Sequence, residues 1–198
     1  MMGPVTDASR YHHGNLRPAL LARAAEVIET EGVRDMSLRR LARDIGVSHG
    51  APQRHFRGKA DLLDALAQQG FLMLGAAYAE TMRSVGDRDR LTALSQTYLE
   101  FSLAHPELVQ LMFTRKHSNA EGMPDALTAA FRIPLEVIAE EQQDGNLIDA
   151  DPEELGIYVM AVLHGLTSLA NAGFISAESS SGLLARMSRH LMLGLRPR

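Results

Sequence analysis

An all-α fold is predicted by three observations. Apolar residues recur at three- and four-residue spacing along nearly the whole chain, and no stretch sustains the alternation of a half-buried strand. Glycine, serine or proline stands where each helical segment needs a start or a stop. With 198 residues there is room for one ordinary core plus a small module. A composition 45 % hydrophobic and 22 % charged, without a long polar tract, is that of a globular chain. The expected architecture is a three-helix head over residues 1–60, preceded by a flexible arm over about 1–13. A long helix joins it to a helical body over 61–198.

The first helix is read from Gly14 to Glu31, with Leu16, Leu20, Ala24, Val27 and Ile28 on one face and Gly32 as its stop. Ser37 caps the second, which turns Leu38, Leu41, Ala42 and Ile45 inward and ends at Gly46. A long helix runs from Lys59 to Met82, with Leu62, Leu63, Leu66, Phe71 and Leu74 facing the core, and stops at the charged GDRDR of 86–90. The body continues through Leu91–Ala104, a short helix after Pro106, and Pro124–Gln143, where Pro134 is expected to kink the axis. A turn over Asp144–Asp151 leads to two last helices, Pro152–Gly173 and Ala177–Leu193. Residues 116–122 are expected to be the most mobile loop, and the last four residues to fray.

Several function classes are disfavoured. No cysteine is present, which excludes disulfides, cysteine-ligated zinc and thiol redox sensing and suits a reducing compartment. The start, MMGPVTDASRYHHG, lacks the apolar stretch of a secretory signal, so a cytoplasmic location is expected. Leu155–Ala177 carries no charge and is long enough to span a bilayer. Its Gly156, Tyr158, His164, Gly165, Thr167, Ser168, Asn171, Gly173 and Ser176 favour instead a helix buried on nearly all sides. There is no glycine-rich phosphate loop, HExxH pair or nucleophile elbow, and Asp87-Arg88-Asp89 and Glu140-Glu141 read as solvated charges. No enzyme activity, cofactor or metal site is expected.

Charge is divided unevenly. Residues 1–60 carry nine Arg and one Lys against six acids, a balance of +4, whereas residues 61–198 carry ten bases against eighteen acids, a balance of −8. A basic head on an acidic body suits a polyanion met at one end only. Within that head, SLRRLARDIGV followed by SHGAPQRHF has the layout of a helix-turn-helix. Ala42 is small where two helices cross, Gly46 supplies a tight turn, and Ser48 is expected to cap the recognition helix, with Pro52 in its first turn. That helix offers His49, Gly50, Ala51, Gln53 and Arg54 to a major groove, with Gln53 suited to adenine and Arg54 to guanine. Ser37, His55 and Lys59 stand at or beside helix starts, where they suit phosphates, and Arg39, Arg40, Arg43 and Arg57 add basic surface.

Residues 14–71 resemble the DNA-binding domain of the TetR family of bacterial one-component regulators. The resemblance is carried by LLARAAEVIETEGVRDMSLRRLARDIGVS, then HF, then KADLLDAL. The family usually has a tyrosine where this chain has Gln53. The early YHHGNLR is similar to a subgroup with a Trp-His-Gly signature in its C-terminal domain, and Leu163-His164-Gly165 stands at the corresponding place without the Trp. The resemblance implies a regulator, most simply a repressor, whose ligand-filled body shifts the long helix and misplaces the heads. His12 and His13 suit either a minor-groove arm or plain solvation.

One helix-turn-helix buries too little surface for tight specific binding, so a homodimer on a palindromic operator is expected, with recognition elements about 34–36 Å apart. Leu155, Leu166, Leu169, Leu183, Met187 and Leu191 are the candidates for a four-helix seam between subunits. Tyr98, Phe101, Met112, Phe113, Met123, Phe131, Tyr158, Met160 and His164 are candidates to line a mostly apolar effector pocket. The competing readings are an apolar-ligand carrier or interaction module that no longer reads DNA, and a small helical enzyme.

Overall fold

The structure, a computed structural model, describes residues 16–86, 89–114, 123–175 and 177–197, without the side chains of Met123, residues 177–181, Leu184, Ser188 and Met192. The expectations for His12, His13 and the loop 116–122 lie outside these residues. All regular structure described is helical: α1 (Leu16–Glu31), α2 (Leu38–Asp44), α3 (Lys59–Ser84), α4 (Arg90–Ala104), α5 (Pro106–Met112), α6 (Met123–Gln143), α7 (Pro152–Asn171) and α8 (Ala177–Gly194). A single 3-10 turn, Pro52–Arg54, separates α2 from α3. The chain divides into two compact units, the first ending at Leu66 and the second starting at Ala67, within α3.

The first unit closes on Leu20, Ala24, Val27, Ile28, Met36, Leu41, Ala42, Phe56 and Leu62, all buried. Its helix ends follow local chemistry. Ser37 is extended (φ −146°) and its Oγ accepts the Arg40 N–H, which satisfies one orphan donor of α2. Gly46 has φ +73°, which lets Val47 N–H reach Ala42 O at 2.9 Å and Gly46 N–H reach Arg43 O at 3.2 Å. Those two bonds are the paired closure of a Schellman turn.

Residues 48–56 depart from expectation. Ser48 does not cap an α-helix: it contributes its backbone carbonyl, which accepts the Ala51 N–H at 3.0 Å, and Ala51 is the residue preceding the 3-10 turn. The chain proceeds by overlapping tight turns, Arg54 N–H to Ala51 O and His55 and Phe56 N–H to Pro52 O. Pro52 is buried and has no N–H to offer, so it starts a turn here without extending into a helix.

In the second unit α3 and α6 run close, since a Cβ built on Gly75 would lie 3.2 Å from Ala130 Cα. Helix α6 continues through Pro134. The turn after it is pinned by Gln142, whose Nε2 donates to Ile148 O at 2.9 Å and Ala150 O at 2.7 Å. Ile138, Leu147 and Leu155 form a core cluster there, with Leu91, Ile148, Ala150 and Leu195 packed around it. None of the helices, among the described residues, is long and apolar enough to cross a membrane.

Nothing lies within 4 Å of a Cβ built on Gly46 or on Gly50, and only Gly46 has a positive φ. Gly46→Ala is therefore expected to destabilise the fold by about 1–2 kcal/mol through backbone strain alone, with Gly50→Ala near neutral, as read by urea denaturation.

Candidate functional site

The head presents the predicted contact residues outward. Ser37, Arg39, Ser48, His49, Gly50, Gln53 and Arg54 are exposed, and Ala51, His55 and Lys59 half-buried. Two basic residues have other employment. Arg40 donates from both terminal nitrogens to the Glu31 carboxylate, at 2.6 and 2.5 Å, and its Nε lies 3.8 Å from Asp44. That bidentate bond holds the Glu31 carboxyl below the ordinary range and raises the guanidinium of Arg40, which ties α2 to α1. Lys59 Nζ donates to Arg34 O at 2.9 Å and so links the start of α3 to the turn before α2.

Further residues that sequence reasoning missed stiffen this head. Arg23 donates to Asp44 from Nε and Nη2, each at 3.0 Å, and to Glu26 at 2.8 Å. The Arg17 guanidinium lies 5.4 Å from the centre of the Phe56 ring. Asp61 accepts the Arg57 N–H at 2.9 Å, and that bond holds its carboxyl below the ordinary range at the start of α3. Acids at i+3 spacing from a helix start would have flagged Asp61; nothing local announces the Arg40–Glu31 or Arg23–Asp44 pairs.

In the second unit a chain of side chains from α3 to α7 meets. The Tyr98 hydroxyl and His164 Nδ1 are 2.8 Å apart. The His164 ring lies 4.8 Å from Phe113, which meets Phe71 edge-on at 5.6 Å, and Phe71 in turn meets Phe131 at 6.4 Å. Met112 Sδ would lie 2.6 Å from a Cβ on Gly70, so the missing side chain of that glycine is what seats it beside α3. Burial pushes the Tyr98 hydroxyl up to about 12, with the Ser102 hydroxyl pulling the other way, and burial lowers His164. Both are therefore neutral near pH 7.

Tyr98, His164, Phe113 and Phe131 thus form one chain of contacts through Phe71, a residue the sequence reading placed only in the core, with Met112 seated against Gly70. Met160 is half-buried on α7. Two candidates do not join them. Tyr158 is 51 % exposed and its hydroxyl donates to Glu154, one helical turn away; Phe101 packs instead on His105 at 5.0 Å.

The expected seam residues divide as well. Leu155 (1 % exposed) and Leu166 (5 %) belong to the core of this chain and are not available to a partner, because they share the inward side of α7 with Leu163 and Thr167. Leu169 and Met187 are exposed, and Leu183 and Leu191 half-buried. Ile157, Tyr158 and Val162 are exposed on α7 beside Leu169, and form an outward apolar side that the sequence reading did not single out.

A capped helix, a glycine turn and an exposed tight turn are the parts of a helix-turn-helix, the reading unit of a DNA-binding protein. The model described as bacterial regulatory proteins of the tetR family matches residues 20–66, and that described as a tetracyclin repressor-like C-terminal domain matches residues 91–191. A solved structure of a protein of unknown function from Rhodococcus sp. RHA1 is 37 % identical, covering 96 % of this chain and 100 % of that one, with a TM-score of 0.85. A TetR family transcription regulator from Marinobacter aquaeolei VT8 is 18 % identical over 92 % and 96 % of the two chains (TM-score 0.73). The ketosteroid transcriptional regulator KstR2 of Mycobacterium tuberculosis is also 18 % identical, over 92 % and 95 % (TM-score 0.65). No curated protein matches the chain. The chain belongs to the TetR family, whose members are DNA-binding regulators and not enzymes.

His164 carries a testable pH dependence. Its folded-state pKa is lowered, so the unfolded imidazole, near about 6.5, takes up a proton that the folded one resists. That stability is present above about pH 6.5 and is lost as pH falls through it. Urea denaturation is expected to show lower stability at pH 5.5 than at 7.5, with the difference reduced in His164→Gln.

Proposed function

We propose that the chain is a homodimeric transcriptional repressor that binds a palindromic operator and is released by a small, mostly apolar effector. The observation that carries the reading is the tight turn of the head, which exposes Gln53 and Arg54, with Ser37 and Arg39 exposed at the start of α2. Gln53 and Arg54 read base edges, where Gln53 takes the place of the tyrosine usual in the family; Ser37, Arg39, Ser48, His49 and His55 position the head against phosphates. Arg40 and Lys59 serve DNA indirectly, through the contacts that brace α1, α2 and α3.

A two-fold pair supplies the second head that specific binding needs. Its seam runs along the outward side of α7, through Ile157, Tyr158, Val162 and Leu169, with Met187 of α8. The effector site is the cluster around Phe71, with Tyr98, Phe113, Phe131 and His164 in its wall. Release requires that the effector bind the DNA-incompetent arrangement more tightly, by the whole coupling energy.

Selection of bound duplexes from a random pool at two salt concentrations tests the reading. Enrichment of a palindrome with half-sites about one helical turn apart supports it; weak, sequence-blind binding contradicts it. On the enriched duplex Arg54→Ala is expected to relax base preference at one position by about 1–3 kcal/mol, whereas Arg39→Ala weakens all sequences alike and lowers the salt slope by about 1. Equal and uniform losses in both variants would remove Arg54 as a base reader.

A further inference from the structure

We infer that Ser102, Tyr98 and His164 form the polar end of the effector cavity, and that its ligand is an uncharged, largely aromatic or alicyclic molecule carrying one hydroxyl or carbonyl oxygen. The inference rests on the effector reading above and names the ligand class for that site. Three observations carry it.

First, Ser102 is fully buried and its Oγ has no hydrogen-bond partner. It lies close enough to the Tyr98 phenol to bias its ionisation. An unfilled buried hydroxyl is destabilising, and a native protein keeps one where something else completes it. Second, the Tyr98 bond takes Nδ1 of His164, which leaves Nε2 of the neutral ring outside that bond. Serine, tyrosine and histidine together offer donors and acceptors in either order, which suits a hydroxyl or a carbonyl alike.

Third, the surroundings are uncharged and aromatic. Burial alone accounts for the shift of His164, and no neighbouring charge contributes to it. A carboxylate or ammonium ligand would give up its hydration against the rings of Phe71, Phe113 and Phe131, at a large desolvation penalty. The rings of Phe71, Phe113 and Phe131 meet edge to face, which presents both edges and faces to a flat ligand. The site is also reachable, since Phe113 is 37 % exposed and His164 only half-buried.

Naphthalene, 2-naphthol and 2-naphthoate differ only in the polar group and make a matched test with the full chain by calorimetry at pH 7.5. 2-Naphthol is expected to bind about three- to tenfold more tightly than naphthalene, as one neutral hydrogen bond allows, and the carboxylate more weakly than either. Tyr98→Phe and Ser102→Ala should each reduce the advantage of 2-naphthol and leave naphthalene unchanged. Ser102→Ala deletes an atom with no protein partner, so it keeps the test valid if Tyr98→Phe melts early. Equal binding of naphthalene and 2-naphthol, tightest binding of 2-naphthoate, no binding of any of the three, or an advantage untouched by both variants overturns the inference. Release of the enriched duplex by 2-naphthol at an unchanged half-maximal concentration in both variants overturns the polar end while the effector reading stands. Binding that follows the variants but leaves DNA affinity unchanged supports the polar end and overturns the effector reading.

Discussion

Helix α7 is apolar on more sides than one chain can cover, and much of the second unit follows from that. Its residues advance by about 100° each, so Leu155, Leu163, Leu166 and Thr167 fall together and are buried, while Ile157, Tyr158, Val162 and Leu169 fall together and are exposed. Burial of a large apolar side chain contributes about 1.5–3 kcal/mol, so the inward side anchors α7 against α6 and the turn before it. The outward side leaves comparable stabilisation unrealised. In the proposed dimer a second copy covers that side symmetrically and brings the second head that the proposed palindromic operator needs. His164 lies at the border of the two sides, where Tyr98 holds it.

In the head the same economy is electrostatic. Five acidic and basic residues, Arg23, Glu26, Glu31, Arg40 and Asp44, form a connected set between α1 and α2. Exposed pairs are individually worth about 0–1 kcal/mol, but bidentate geometry at Arg40 fixes direction as well as energy. That set holds two bases and three acids, so the other charged residues of 1–60 carry a balance of +5, and the internal pairing does not weaken the positive charge of the head. Arg39 and Arg54 stand outside this set and are exposed.

What was legible in the sequence is what local chemistry decides. Ser37 and Gly46 mark their helix ends by capping and by positive φ, and both need only neighbours in sequence. The helical body was equally readable from period alone, to within a few residues at each end. Residues 48–56 were not, because a proline suits the first turn of an α-helix and a 3-10 turn equally well, and the choice depends on burying Pro52. Nor does periodicity say which of two apolar sides faces inward, so Leu155 and Leu169 looked equivalent although one is buried and the other exposed. The Tyr98–His164 bond joins residues 66 positions apart, and the Arg40–Glu31 pair depends on how α1 and α2 cross. Both are consequences of packing, and no window of sequence contains them.

Sedimentation equilibrium of the full chain from nanomolar to micromolar concentration, beside Leu169→Glu, is the most direct test of the two-sided helix. A dimer in the native chain, shifted to monomer by a charge at an exposed position that leaves the core intact, is the expected result. A native chain that stays monomeric throughout, or a dimer indifferent to Leu169→Glu, would contradict a seam along α7.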